Sequence, residues 1–365
     1  MKIKRLFALV ALMIFCSQTM LFAQSSGKGN EKPAEILSAL EYLSHNTGRW
    51  TTVAINASGS VPDADYAKGV RQEVEGNFKQ GYQKVTDIAR DVLAVAACGY
   101  NPDNLGGRDL ISELTGFDAV LGQGANGPIY SLLALDSRGF SVADDMPWTR
   151  EKLCQAILTF QDNNGGFSLN ESLEADVDVT AAAVTALSPY TEKAEIAASV
   201  DQALTWLQTQ QNEDGTFSSL GVSSSESTAS VMIALIALGI PMESERFSRQ
   251  GMTPYDALLT FQNSDGSFSH VEQGSGNIIA TEQAVMALSA VFFGKSPYRL
   301  ATLTPPPETA RISLTFVFMT VGFVILIYLI LLLVRKIGQR FSPMPRPQEE
   351  MEYKPDTLSV DDSDA

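Results

Sequence analysis

Asp176 and Asp178 stand two residues apart, at the head of an Ala-, Val- and Thr-rich run that ends at Leu187. Polar side chains occupy the same kind of position, where an apolar run begins, at Asp87 with Arg90, at Asn126, at Glu226 with Ser227 and at Thr281 with Glu282. Acids in a helix's first turn stabilise it by about 0.3 to 1 kcal/mol through the macrodipole, so each of these residues has a capping role when taken singly. Helix starts ordinarily favour anions, yet several of these are acidic. If the five starts converge on one mouth, their side chains either satisfy one another or attract a cationic or polyhydroxylated ligand.

The elements that would bring them together are set by a repeat. A Gln-x-x-x-Gly-x-Phe phrase occurs at Gln161, Gly165 and Phe167, at Gln211, Gly215 and Phe217, and at Gln262, Gly266 and Phe268, with intervals of 50 and 51 residues. Each phrase precedes a helix carrying Thr180 and Leu187, Thr228 and Leu235, or Thr281 and Leu288, with Ala186, Ala234 and Ala287 just before the Leu. A fixed period of this length means stacked supersecondary units. One helix of a unit is amphipathic, as at Val200, Ala203, Leu204 and Leu207; the other, as from Thr228 to Leu238, is apolar all round and must be buried all round. The spacing therefore predicts an all-α double ring of about six helix pairs. The glycines supply left-handed residues at helix ends, each Phe packs back over its turn, and each Gln bonds free backbone groups. Ser44, Gly48 and Trp50, and the run from Leu93 to Gly99, echo the same units more faintly.

The ends of the chain read differently. Lys2, Lys4 and Arg5 precede an apolar stretch closing on Ala23, which predicts a signal peptide over residues 1–23. Residues 24–298 form the repeat domain and 299–311 a spacer containing Pro305, Pro306 and Pro307. Ile312 to Val334 is 23 residues without a charge, enough at about 1.5 Å per residue to cross roughly 30 Å of hydrocarbon. Arg335, Lys336 and Arg340 follow it, so the positive-inside rule predicts a single-pass protein of the cell membrane, with the repeats outside and the tail of residues 335–365 in the cytoplasm. That tail is Pro-rich, then acidic, and is expected to be disordered. A net charge of −16 argues against nucleic acid as a partner. Cys98 and Cys154 sit in apolar helical contexts and read as buried thiols.

Turns and helices together resemble the squalene cyclase and protein prenyltransferase repeat superfamily, whose fold is the α/α toroid. With its predicted leader and anchor, the chain looks most like bacterial cell-surface proteins bearing prenyltransferase/squalene-oxidase repeats. Protonating terpenoid cyclases carry Asp-x-Asp-Asp-Thr-Ala, similar to Asp176-Val177-Asp178-Val179-Thr180-Ala181 here. The resemblance implies Asp178 as a proton donor and Asp176 as its neighbour, with Val179 replacing the last acid. Such chemistry needs a tuned carboxyl in an apolar cavity, and cyclases add many aromatics, whereas only Trp50, Trp148 and Trp206 supply indoles. Protein prenyltransferases bind zinc through Asp, Cys and His; here the mature chain has only His45 and His270 and no Asp-x-Cys, so no metal and no cofactor is expected. Ala280-Thr281-Glu282-Gln283-Ala284 resembles the late-repeat helix starts of cobalamin carriers, which hold a ligand at the barrel mouth. The expectation is a non-catalytic domain binding a small ligand or a surface partner, with cyclase-like lyase or isomerase chemistry, a cobalamin-type carrier and an adhesion scaffold as alternatives.

Overall fold

The computed structural model describes residues 31–78, 80–305, 323, 325–334 and 336. Contacts divide the chain into one unit up to Pro307 and another from Glu308. In the first, the described residues form twelve α-helices: α1 (Ala34–Leu43), α2 (Arg49–Ala57), α3 (Ala64–Asn77), α4 (Val85–Ala97), α5 (Leu110–Thr115), α6 (Asn126–Asp136), α7 (Arg150–Leu158), α8 (Val177–Leu187), α9 (Ala194–Gln210), α10 (Ser225–Ala237), α11 (Pro254–Leu259) and α12 (Ile278–Phe293). Each even-numbered helix packs against the next, and α12 packs against α2. The inner ring is therefore closed with six members. The odd-numbered helices lie outside it, with α9 on α8, α11 on α10, and α1 on α12.

Sequence pattern accounts for the two layers. In α9, Ile196, Val200, Ala203, Leu204 and Leu207 face the ring while the opposite face is polar. In α10, the buried set from Ser225 to Leu235 covers nearly the whole circumference. Each Leu or Val so buried contributes about 1.5 to 3 kcal/mol. Thr253 caps α11 in a reciprocal capping box, with Pro254 at the first helical position.

The repeat phrase forms a clasp. Gln161 Nε2 donates to Gly165 O at 2.9 Å and to Ser199 O, on the next outer helix, at 2.8 Å. Gln211 Nε2 likewise donates to Gly215 O and, at 2.9 Å, to Phe247 O. Gln262 Nε2 reaches Glu35 O on α1 at 3.0 Å and so joins the last unit to the first. The N–H of Phe167 donates to Thr180 Oγ1 at 2.8 Å, that of Phe217 to Thr228 Oγ1 at 3.1 Å, and that of Phe268 to Thr281 Oγ1 at 2.9 Å. All three phenylalanines are fully buried. Gly165, Gly215 and Gly266 have φ of 95°, 85° and 84°. They lie inside the turn rather than at the helix end, because Gln211, directly after α9, is already extended and pairs with Phe217 across the turn. The hairpin β1 (Phe217–Ser219) with β2 (Val222–Ser224), and the shorter β3 (Phe268–Ser269) with β4 (Gly276–Asn277), prolong two of these turns antiparallel into the next inner helix.

The earlier units are held differently. Arg49 pairs with the fully buried Asp91, which also accepts hydrogen bonds from Tyr82 at 2.8 Å and Asn77 at 3.2 Å. Burial pushes the Asp91 carboxyl up and the adjacent Arg49 guanidinium opposes that shift. Residues 299–304, where the sequence suggests a spacer, still belong to the packed unit. Leu300 N–H donates to Ser137 O, and Ala301 N–H donates to Asn56 Oδ1, both at 3.0 Å. Asn56 in turn donates to Ala97 O, so this segment crosses the C-terminal ends of α2, α4 and α6 and floors the ring. The ring is closed, and among the described residues its core runs from Ile36 to Leu300.

The predicted leader at residues 1–23 lies outside the described residues. Of the predicted span at 312–334, residues 323 and 325–334 are described, helical and exposed. Among the described residues no helix is long and apolar enough to cross a membrane.

Candidate functional site

All six inner helices begin at one end of the ring, because the outer helices return the chain between them. Hydrogen bonds stitch these starts together. Thr86, opening α4, donates to Gln123 ahead of α6 at 2.7 Å; Ala125 N–H donates to Leu169 O ahead of α8 at 2.9 Å. Ser219, ahead of α10, donates to Asp176 at 2.6 Å, and Ser225 N–H donates to His270 O ahead of α12 at 3.1 Å. Thr51 in α2 donates to Glu282 Oε1 in α12, which joins the last inner helix to the first. Gly48, at the start of α2, admits this approach: a Cβ there would stand 3.3 Å from the Glu282 carboxylate.

Inside this rim lies a cavity of about 370 Å³. Trp50 from α2, Asn126 and Tyr130 from α6, Asp178, Val179, Ala182 and Thr185 from α8, Ser230 and Ile233 from α10, and Ile279, Glu282, Gln283 and Met286 from α12 line it. Tyr298, from the segment leading into the floor, lines it as well. Trp50 and Tyr130 meet edge to face at 5.8 Å between centroids. Ile279 is 60% exposed at the lip, and Leu220, at the tip of the β1–β2 hairpin, is 96% exposed.

The residues expected from sequence to share a mouth divide into two groups. Asp178, Asn126 and Glu282 line the cavity. The others close the rim without entering it. Asp176 is the N-cap of α8, accepting from Asp178 N–H and Val179 N–H at 2.8 and 3.2 Å through Oδ1, while its Oδ2 takes the Ser219 hydroxyl. Glu226 accepts from Ser225 and pairs with His270 Nδ1 at 2.9 Å. Ser227 bonds to Ser224, the N-cap of α10, and Thr281 is consumed by its turn and by Asn277 O. Asp87 and Arg90 pair with each other at 2.9 Å along α4.

Among these carboxylates, Asp178 is unlike the rest. Its Oδ1 is buried and makes no hydrogen bond. Burial pushes its carboxyl up to about 6, with the charges of Asp176 and Glu226 adding to the rise and the hydroxyls of Ser227 and Ser219 acting against it. Burial also pushes Glu282 up, opposed by its hydrogen bond from Thr51. Among the described residues, no Lys, Arg or His lines the cavity. The described residues hold no group of three His, Cys, Asp or Glu side chains able to bind a metal ion. Cys98 and Cys154 are both free and buried, their thiols pushed up to about 12 by burial, which leaves them inert.

Two aromatic contributors to the cavity, Tyr130 and Tyr298, escaped the sequence reading. Counting tryptophans overlooked tyrosines: Tyr130 sits one turn after Asn126 on the same face of α6, a signal the helical period carries. Tyr298 lies beyond the last repeat and carried no such signal. Of the tryptophans, Trp50 lines the cavity, whereas Trp148 donates to Phe117 O and Trp206 packs over Gly166 on the outer layer.

Residues 128–291 match the family model of the prenyltransferase alpha-alpha toroid domain. That match supports the squalene cyclase and prenyltransferase toroid superfamily over this repeat region. Among solved structures, the toroid is similar to Candida albicans protein geranylgeranyltransferase-I complexed with GGPP, at 13% identity and a TM-score of 0.48, covering 75% of this chain and 95% of that one. It is also similar to ent-copalyl diphosphate synthase from Streptomyces platensis, at 18% identity and a TM-score of 0.46, covering 71% of this chain and 50% of that one. No curated protein matches the chain.

Proposed function

We propose that the toroid binds a small amphipathic ligand in its central cavity and performs no chemistry on it, and that a span at 312–334 anchors it on the outer face of a cell membrane. The observation that carries the binding reading is Asp178: a buried carboxylate oxygen without a partner, in the wall of an otherwise closed ring. An unsatisfied buried acceptor costs about 1 to 3 kcal/mol, so its retention makes sense where a ligand supplies the missing donor. The anchoring reading is supported by the uncharged stretch from Ile312 to Val334 and the basic residues that follow it.

A second reading, acid catalysis on an alkene, is favoured by the aromatic wall of Trp50, Tyr130 and Tyr298 around Asp178. Against it, a carboxyl titrating near 6 is a weak donor toward an unactivated alkene, and Val179 stands where the resembling motif has its third acid.

Native mass spectrometry on residues 31–305, after incubation with a metabolite extract of the source cells, tests the binding reading. The wild-type unit should retain one small molecule, and Ala182→Phe, which fills the cavity, should lose it. An identical apo mass for both proteins would contradict the proposal, and a released product with one fewer double bond than the bound molecule would favour acid catalysis.

A further inference from the structure

Building on that binding reading, we infer that the ligand is an organic cation: a compact protonated amine whose ammonium group donates to Asp178 and whose apolar body lies against Ile233, Met286 and the aromatic wall. The cavity's lining includes two carboxyl groups, Asp178 and Glu282, and no basic side chain. Glu282 is 5% exposed and one of its oxygens already holds Thr51, so its role is divided between the ring and the cavity. Asp178 Oδ1 has no such prior claim.

Among the described residues, no basic side chain lines the cavity to neutralise Asp178. Asp176 spends both oxygens on backbone N–H groups and Ser219. Glu226 faces His270 on the outside of the rim, and His270 does not line the cavity. Arg90, the nearest basic candidate in the sequence reading, pairs with Asp87 and also stays out of the lining. A carboxylate or phosphate ligand would therefore meet like charge in a site of low dielectric. A neutral ligand could bond Asp178 but would leave its charge uncompensated. A cation does both, and the faces of Trp50, Tyr130 and Tyr298 attract it further. A volume of about 370 Å³ sits at the small end of the usual range for ligand pockets, about 300 to 1,000 Å³, which favours a compact molecule with its apolar end toward Ile279 at the lip.

Three probes with one eight-carbon chain separate charge from shape: n-octylammonium, n-octanol and n-octanoate, titrated calorimetrically into residues 31–305 at pH 7.5. The expected result is octylammonium binding at least about tenfold more tightly than octanol, with octanoate weakest, because a charge-assisted bond in a buried site outweighs a neutral one. Asp178→Asn should erase that margin, so that octylammonium binds no more tightly than octanol, with its melting curve confirming that the variant is folded. Octanol or octanoate binding as tightly as octylammonium would overturn the cation inference while supporting a ligand cavity. A margin that survives in Asp178→Asn would also overturn it. Failure of all three probes to bind would overturn the cation inference and count against the binding reading with it.

Discussion

The repeat turns and the mouth of the ring draw on the same residue types, hydroxyls, carboxylates and amides at helix starts, yet they use them in opposite ways. In the turns, each Gln amide nitrogen and each Thr hydroxyl meets a partner within the fold: Gln262 holds α1, Thr281 holds the N–H of Phe268, and the pattern recurs at Gln161 with Thr180 and at Gln211 with Thr228. At the mouth, Asp176, Glu226 and Ser227 are satisfied in the same fashion, but Asp178 is not. Among the carboxylates of the mouth, those that close the ring and the one it leaves open can therefore be told apart by hydrogen-bond accounting, where position along the helix could not separate them.

The largest effect should come from breaking the ring at its closure. In Gly266→Ala, a left-handed backbone at φ 84° combines with a Cβ 2.4 Å from Ser38 O on α1, so urea unfolding of residues 31–305 should show a loss of about 3 kcal/mol or more. Gly221→Ala sharpens the point, because φ is 78° there but nothing lies within 4 Å, and the loss should be about 1 kcal/mol. Equal losses for the two would remove the closure argument. Next, Thr281→Val leaves the buried N–H of Phe268 without its acceptor and should cost about 2 kcal/mol, whereas Thr281→Ser should recover most of it. The smallest effect belongs to the rim pair of Glu226 and His270. With the His270 side chain 54% exposed, His270→Ala should change the melting midpoint by no more than about 0.5 kcal/mol is worth.

Much of the ring was legible in the sequence because its clasp is periodic. Gln, Gly, Phe and Thr must recur together wherever a turn is locked onto the next inner helix, and the 50- and 51-residue intervals report that directly. The earlier units were faint for a physical reason: there a buried Arg49–Asp91 pair with Tyr82 and Asn77 replaces the clasp, and such a network leaves no periodic trace. Convergence of the inner helix starts followed from the alternation of inner and outer helices. What could not be read was which side chains look inward. Asp176 and Asp178 differ by two residues, about 200° around a helix, so one caps α8 and the other enters the cavity. Tyr298 reaches that cavity from beyond the last inner helix, at the end of the predicted repeat domain, where no period marks it.

The sharpest test of the distinction is the stability of wild type against Asp178→Asn, by urea unfolding of residues 31–305 from pH 4 to pH 7.5 without ligand. The Asp178 carboxyl titrates near 6 in the folded protein and near 3.8 when unfolded, so the folded state holds its proton more tightly. The stability this confers is present below about pH 4 and is lost as the pH rises through 6. Asp176, Glu226, Glu282, Tyr130 and the Glu226–His270 pair are common to both proteins and largely cancel in the difference. The account predicts two proteins of nearly equal stability at pH 4 and an Asn variant more stable by about 2 kcal/mol at pH 7.5. An Asn variant less stable than wild type at every pH would contradict it, and would place Asp178 among the residues that hold the ring together.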